Sequence, residues 1–179
     1  MSKYAVQPTG VERRFGDEEI IVSKTDTTGH LLYVNDVFCR IGLYKESELL
    51  GKPHSIIRHP DMPRCVFKLM WETLQAGEEI FAYVKNLAKN GDHYWVLAHV
   101  TPSYGADGRI VGFHSNRRVP DRSAVAVIEP LYRSLAAIEE RHPDRKAGMN
   151  DAYAELKAHL ARQSLAYDEF VFSLVDQAA

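Results

Sequence analysis

The sequence predicts an α+β fold: a five-stranded antiparallel sheet with helices against one face, followed by C-terminal helices. Three observations carry that expectation. Two short apolar runs at 20–25 and 31–35 flank the turn-forming Asp26-Thr-Thr-Gly-His30, the pattern of a β-hairpin. Three further runs, 80–87, 93–102 and 109–118, have an apolar period of two and are separated by Lys89-Asn-Gly-Asp92 and Gly105-Ala-Asp-Gly108. Asn-Gly between such runs is a strong hairpin signal. Helical patterns fill the space between the first pair and the last three, and the order as a whole suits one sheet with a helical layer.

The elements follow in order. Residues 1–17 are mixed and polar and read as an arm or cap, residues 18–120 as the domain, and residues 121–179 as a helical extension. Short helical patches occupy 36–42 and 45–50, with Ser47 or a neighbour as cap and Gly51 as stop. Residues 63–77 carry Val66, Phe67, Met70, Trp71 and Leu74 on one helical face. Residues 123–141 read as a helix that Pro130 kinks or restarts. Residues 142–148 read as a break. Residues 150–177 read as one long helix, capped by Asn150 or Asp151, whose stripe of Tyr153, Leu156, Leu160, Tyr167, Phe170 and Leu174 is either a dimer seam or a face folded back on the domain.

Composition narrows the function. The net charge is -2 and the sequence has no basic stripe, which argues against nucleic acid as a partner. Two cysteines, Cys39 and Cys65, lack metal-type spacing, so neither a disulfide framework nor a metal site is expected. His93 and His99 share a strand face, but no carboxylate is spaced to join them. There is no apolar signal core at residues 1–10 and no run near the ~20 residues of a membrane span. A cytoplasmic location is expected. No nucleophile, base and oxyanion set is legible, so catalysis is not expected.

The densest chemistry lies in Gly51-Lys-Pro-His-Ser-Ile-Ile-Arg-His-Pro-Asp-Met-Pro63. Its three prolines forbid a long regular helix. A stiff irregular segment of this kind can aim Arg58, His59 and Asp61 at a pocket mouth, or can pair its own charges on the surface.

Residues 54–63, Val84-Lys-Asn86 and Lys89-Asn-Gly-Asp-His-Tyr-Trp-Val96 resemble the PAS domain of the aerotaxis receptors. Ile128-Glu-Pro-Leu-Tyr-Arg-Ser134 resembles the segment that follows it. The resemblance covers roughly residues 15–135. It implies a PAS fold that binds FAD noncovalently, senses redox state and hence oxygen, and signals to a chemoreceptor, histidine kinase or other output protein. The receptor pattern has a tryptophan where this chain has Ile80, so that ring contact is left to Phe81 or another aromatic.

A flavin site needs an apolar slot and a few polar groups on fixed elements. Strand alternation puts Asn86, Val84 and Ala82 together. On the last strand it groups Ile110, Gly112, His114 and Asn116, taken here as the inner face, with Gly112 admitting the ring. The resemblance to light-sensing flavin PAS domains implies an asparagine near Asn86 and a glutamine near His114. Arg58 suits a phosphate or an adenine edge, while His59 and Asp61 would orient it or bind ribose. Trp71 is read as a cofactor contact or as core, and Asn35 as a cofactor contact or as a helix cap. Two other functions compete with the flavin sensor. One is a haem gas sensor with His59 or His114 as axial ligand; the other is a cofactor-free dimerisation module.

Overall fold

A computed structural model describes residues 6–176. Residues 1–5 of the expected arm, and Gln177 at the end of the expected last helix, lie outside that range. Two strands, β1 (Ile21–Thr25) and β2 (Leu31–Val34), form the first hairpin. Helices α1 (Asp36–Gly42), α2 (Glu46–Leu49) and α3 (Arg64–Gln75) follow, with a 3-10 turn at His54–Ile57 between the last two. Strands β3 (Ile80–Leu87), β4 (His93–Tyr104) and β5 (Ile110–Arg118) complete an antiparallel sheet in the order β2-β1-β5-β4-β3.

Cross-strand register builds the inner face in rows. Ser23 is opposite Ser115, which is opposite Val100, which is opposite Ile80. In the next row Ile21, Arg117, Ala98 and Ala82 follow one another. The two alanines leave room above the sheet that larger side chains would fill. The phase of β5 corrects the expectation: Phe113, Ser115 and Arg117 face inward, while His114 and Asn116 lie on the outer face and pair with each other at 3.1 Å. Gly112 serves the neighbouring strand, since a Cβ there would lie 2.2 Å from the Thr25 carbonyl oxygen.

Helix α3 begins after Pro63, which supplies no side-chain cap. Its first turn is capped from far away in sequence by the buried Glu139, which accepts the Cys65 N–H at 2.8 Å. Asp61, two residues before Pro63, accepts from Lys85 Nζ at 2.8 Å.

The extension differs from its expected form. Helix α4 (Arg122–Glu140) is one helix that continues across Pro130 rather than restarting there. Pro130 and Ala126, whose carbonyl loses its donor, are both exposed, so water can satisfy that oxygen. The long last helix is two helices. Helix α5 (Arg145–Gln163) is capped by Asp144, which accepts from the Lys146 and Ala147 N–H groups, and it ends at Ser164 in the left-handed region with φ 56. Helix α6 (Tyr167–Asp176) follows. Gly148 lies inside α5, where a Cβ would meet the Glu139 carbonyl oxygen at 2.5 Å, so it permits a close crossing of α4 and α5. Leu156, Leu160, Phe170 and Leu174 are all buried within the chain. The stripe therefore packs on the chain's own domain.

Helices α1 to α3 cover the inner face. The helices of the extension close around the β3 edge onto the outer face. There Tyr132 donates to the Tyr83 carbonyl at 2.8 Å, Trp95 stacks near Tyr132, and Phe172 packs on Phe81.

Candidate ligand-binding site

Between the inner face and the helical layer lies a cavity of about 300 Å³. Its floor is Ser23, Val84, Asn86, Ala98, Val100, Phe113, Ser115 and Arg117. Its roof is Phe67, Met70, Trp71 and Leu74 of α3, with His54, Ser55, Ile57 and Arg58 at one side and Thr28 and Gly29 at the rim. Trp71 meets Phe113 edge to face at 5.4 Å and would touch a Cβ at Gly29. The left-handed Gly29, φ +83, gives that indole its place.

The polar groups in this apolar slot are unusual for what they lack. Asn86 Nδ2, Ser115 Oγ and Arg117 Nη1 are buried and, among the described residues, have no hydrogen-bond partner. Buried polar atoms are nearly always paired, and leaving one unpaired costs about 1–3 kcal/mol. Three such atoms lie on one cavity floor, where a polar ligand edge could pair with them.

Arg117 is only 4% exposed, and among the described residues no carboxylate pairs with it. It donates through Nη2 to Ser23 Oγ at 2.7 Å and to His54 Nε2, and its guanidinium sits 5.4 Å from the Phe38 ring. Burial lowers its pKa to about 10, so it stays charged at neutral pH. Burial first, then the Arg117 charge, push His54 down to about 3. His54 is thus a neutral acceptor at Nε2, which assigns its proton to Nδ1.

Of the residues singled out from the sequence, Arg58, Trp71 and Asn86 line the cavity. Arg58 lies over the Phe67 ring at 4.0 Å, and its backbone bridges to Asn86. The other four are elsewhere. Asn35 caps α1 by accepting the Phe38 N–H and also ties to Val22 and Ile20. His59 is buried beside His93, ring centroids 5.8 Å apart, and burial lowers its pKa to about 4. Asp61 pairs with Lys85 on the outer side. His114 is on the outer face. Neither imidazole read as a haem ligand therefore reaches the cavity, and His54 Nε2 is already engaged. Phe81 does not replace the missing tryptophan, because it stacks on His99 at 4.1 Å on the outer face. Sequence reasoning missed His54, Ser115 and Arg117. The signal for the last two was the other phase of β5, which puts an arginine and a serine in line with Phe113.

Residues 31–117 match the family model described as the PAS fold. The chain is 42% identical over 121 residues, 68% of its length, to the aerotaxis receptor of Escherichia coli. Over 121 residues it is 26% identical to the nitrogen fixation regulatory protein of Klebsiella pneumoniae. It spans about a quarter of each of these relatives, 24% in both cases. Two solved structures share its fold. One, from work on a flavin analogue in a light-oxygen-voltage domain, has a TM-score of 0.54 at 18% identity and covers 62% of this chain and 84% of that one. The other, the dark state of the blue-light photoreceptor Aureochrome1 LOV, has a TM-score of 0.53 at 20% identity and covers 66% of this chain and 86% of that one. The chain carries a PAS domain of the type found in the aerotaxis receptor.

Proposed function

We propose that this domain is a sensory PAS module that holds FAD noncovalently and responds to its redox state, and hence to oxygen. The observation that carries the reading is the set of unpaired buried atoms, Asn86 Nδ2, Ser115 Oγ and Arg117 Nη1, on the floor of one aromatic-walled cavity. A flavin ring is flat and apolar with a hydrogen-bonding edge, and it supplies reversible electron uptake. Asn86 and Arg117 would donate to that edge, Ser115 would donate or accept, and Trp71 and Phe113 would keep water off the ring. The Arg117 cation, with neutral His54 beside it, favours any negative charge that arrives on a ligand there.

The cavity lies at the lower end of the ~300–1,000 Å³ typical of ligand sites. It suits a ring system, with the dinucleotide tail over the mouth near Arg58. The function is signalling rather than catalysis, in a cytoplasmic setting where Cys39 and Cys65 stay free thiols. The output is a chemoreceptor, a histidine kinase or another signalling partner. A homodimer would have to use a surface other than the buried stripe. The test is FAD content after gel filtration, read from the flavin bands. Wild type should retain about one FAD per chain, and Ser115→Val together with Asn86→Leu should lose most of it. A colourless wild type that takes up no FAD would remove the flavin reading.

A further inference from the structure

We propose that the Arg117 end of the cavity is an oxyanion subsite, and that the flavin-free domain takes small planar aromatic carboxylates there, in competition with FAD. The argument for the subsite needs only the cavity. The flavin reading enters as the competitor.

The cavity floor is not uniform. Phe113, Ser115 and Arg117 take successive inward positions on β5. Ser23 lies opposite Ser115 across the β1–β5 pair. His54 reaches the same place, its Nε2 3.3 Å from Ser23 Oγ. Asn86 is not part of this group. It lies on β3, two strands away, and four residues along from Ala82, which shares the row of Arg117. The charged end of the floor is therefore separate from the amide end.

Charge decides what that end accepts. Arg117 is 4% exposed. Its Nη2 donates to Ser23 Oγ and His54 Nε2, which fix the guanidinium in place. A hydroxyl and a neutral imidazole bring it no negative charge. Arg117 Nη1 and Ser115 Oγ are buried and, among the described residues, have no hydrogen-bond partner. A free N–H beside a free hydroxyl offers one donor to each oxygen of a carboxylate. An oxidised flavin ring presents only neutral oxygens and nitrogens, so the cation stays uncompensated beneath it. A carboxylate supplies the missing charge as well as the acceptors.

The walls select the rest of the molecule. Phe113 is the inward residue next to Ser115, about 7 Å along the strand, and Trp71 meets it edge to face at 5.4 Å. Phe67 and Met70 extend the roof. Ala98, opposite Arg117, leaves space above the sheet for a ring joined directly to the carboxylate. Such aromatic walls favour a flat ring over an alkyl chain, and about 300 Å³ admits a one- or two-ring acid whole. The acid would occupy the floor atoms that a flavin edge needs, so the two ligands exclude each other.

The test is calorimetric titration of the full chain, freed of flavin, at pH 7. The probe is indole-3-carboxylate, with indole-3-carboxamide as its uncharged isostere and acetate as a carboxylate without a ring. One indole-3-carboxylate should bind per chain, with the amide and acetate each about tenfold or more weaker. Arg117→Met should bring the acid down to the level of the amide. On the FAD-loaded chain, rising indole-3-carboxylate should release flavin, read from the flavin bands after gel filtration. An acid that does not bind saturably, or that binds no better than its amide, would overturn the subsite. Acetate binding as tightly as the acid would overturn the aromatic class. Acid and FAD bound together would overturn its place in the cavity. Should Arg117→Met fail to fold, the acid-to-amide ratio in wild type still decides. A wild type that takes up no FAD would remove the flavin reading and leave the acid titration to decide the subsite. FAD uptake without acid binding would remove the subsite alone.

Discussion

Two buried cations sit on opposite faces of the same sheet, and they are treated in opposite ways. Lys85, on the outer face, has two carboxylates, Asp61 and Glu129, and lies 5.8 Å from the Trp95 ring. Arg117, on the inner face, has a hydroxyl, a neutral imidazole and one unpaired nitrogen. A buried charge without a counter-charge is expensive to keep. The first arrangement is what a fold does to hold itself together. The second makes sense when the missing partner is a ligand.

The comparison can be broken at either cation. The largest effect is expected at Arg117. Arg117→Met should raise the FAD dissociation constant by about 10–100-fold, the equivalent of the ~1.5–3 kcal/mol of a charge-assisted hydrogen bond. The melting temperature of the ligand-free protein should hold or rise, because an uncompensated charge leaves the interior. Equal FAD affinity in titrations of the two proteins would take Arg117 out of the site.

Lys85→Met should do the reverse. It should lower unfolding free energy in denaturant titrations by about 1–2 kcal/mol, a figure discounted because Asp61 and Glu129 are partly solvated. Its effect on FAD should stay well below that of Arg117→Met. A stable Lys85→Met protein with FAD binding as weak as that of Arg117→Met would erase the distinction.

Acid sharpens the contrast. His54 is held neutral in the fold, with its pKa lowered to about 3 from 6.5. Below 6.5 the unfolded chain takes the proton more readily, so this contribution is complete above about pH 6.5 and is lost as the pH falls toward 3. His59, lowered to about 4, acts in the same direction. Melting temperatures measured from pH 7 to 4 should fall, and His54→Gln should flatten part of that fall. A parallel curve for the variant would mean that His54 titrates normally. The smallest effect is expected at His114. His114→Leu should leave FAD content unchanged after gel filtration, because that ring lies on the far side of β5 from Ser115 and Arg117.

What could be read from the sequence follows from where its signals are local. The strands were legible because alternation and the Asn90-Gly91 turn are local patterns. Arg58 and Asn86 could be named because proline spacing and strand phase point the same way there. The phase of β5 was not legible. Both alternations mix apolar and polar residues, and the irregular register between Ser103 and Tyr104 offsets any count from the preceding turn. The cap on α3 was invisible for a different reason, since Glu139 is 74 residues from Cys65. Gly148 looked like a break because a glycine serving a helix crossing and a glycine ending a helix are the same letter. His59 and Asp61 have the chemistry of a ligand site, but the chain uses them beside His93 and Lys85. That choice depends on strands β3 and β4 arriving from later in the sequence.

The most direct measurement is nitrogen-detected NMR of the Asn86 side-chain amide and the Arg117 guanidinium while one equivalent of FAD is added. Both signals should shift and saturate together at one FAD per chain, while the His114 ring signals stay where they were. Signals at Asn86 and Arg117 that do not move, or shifts that appear at His114 instead, would contradict the flavin reading.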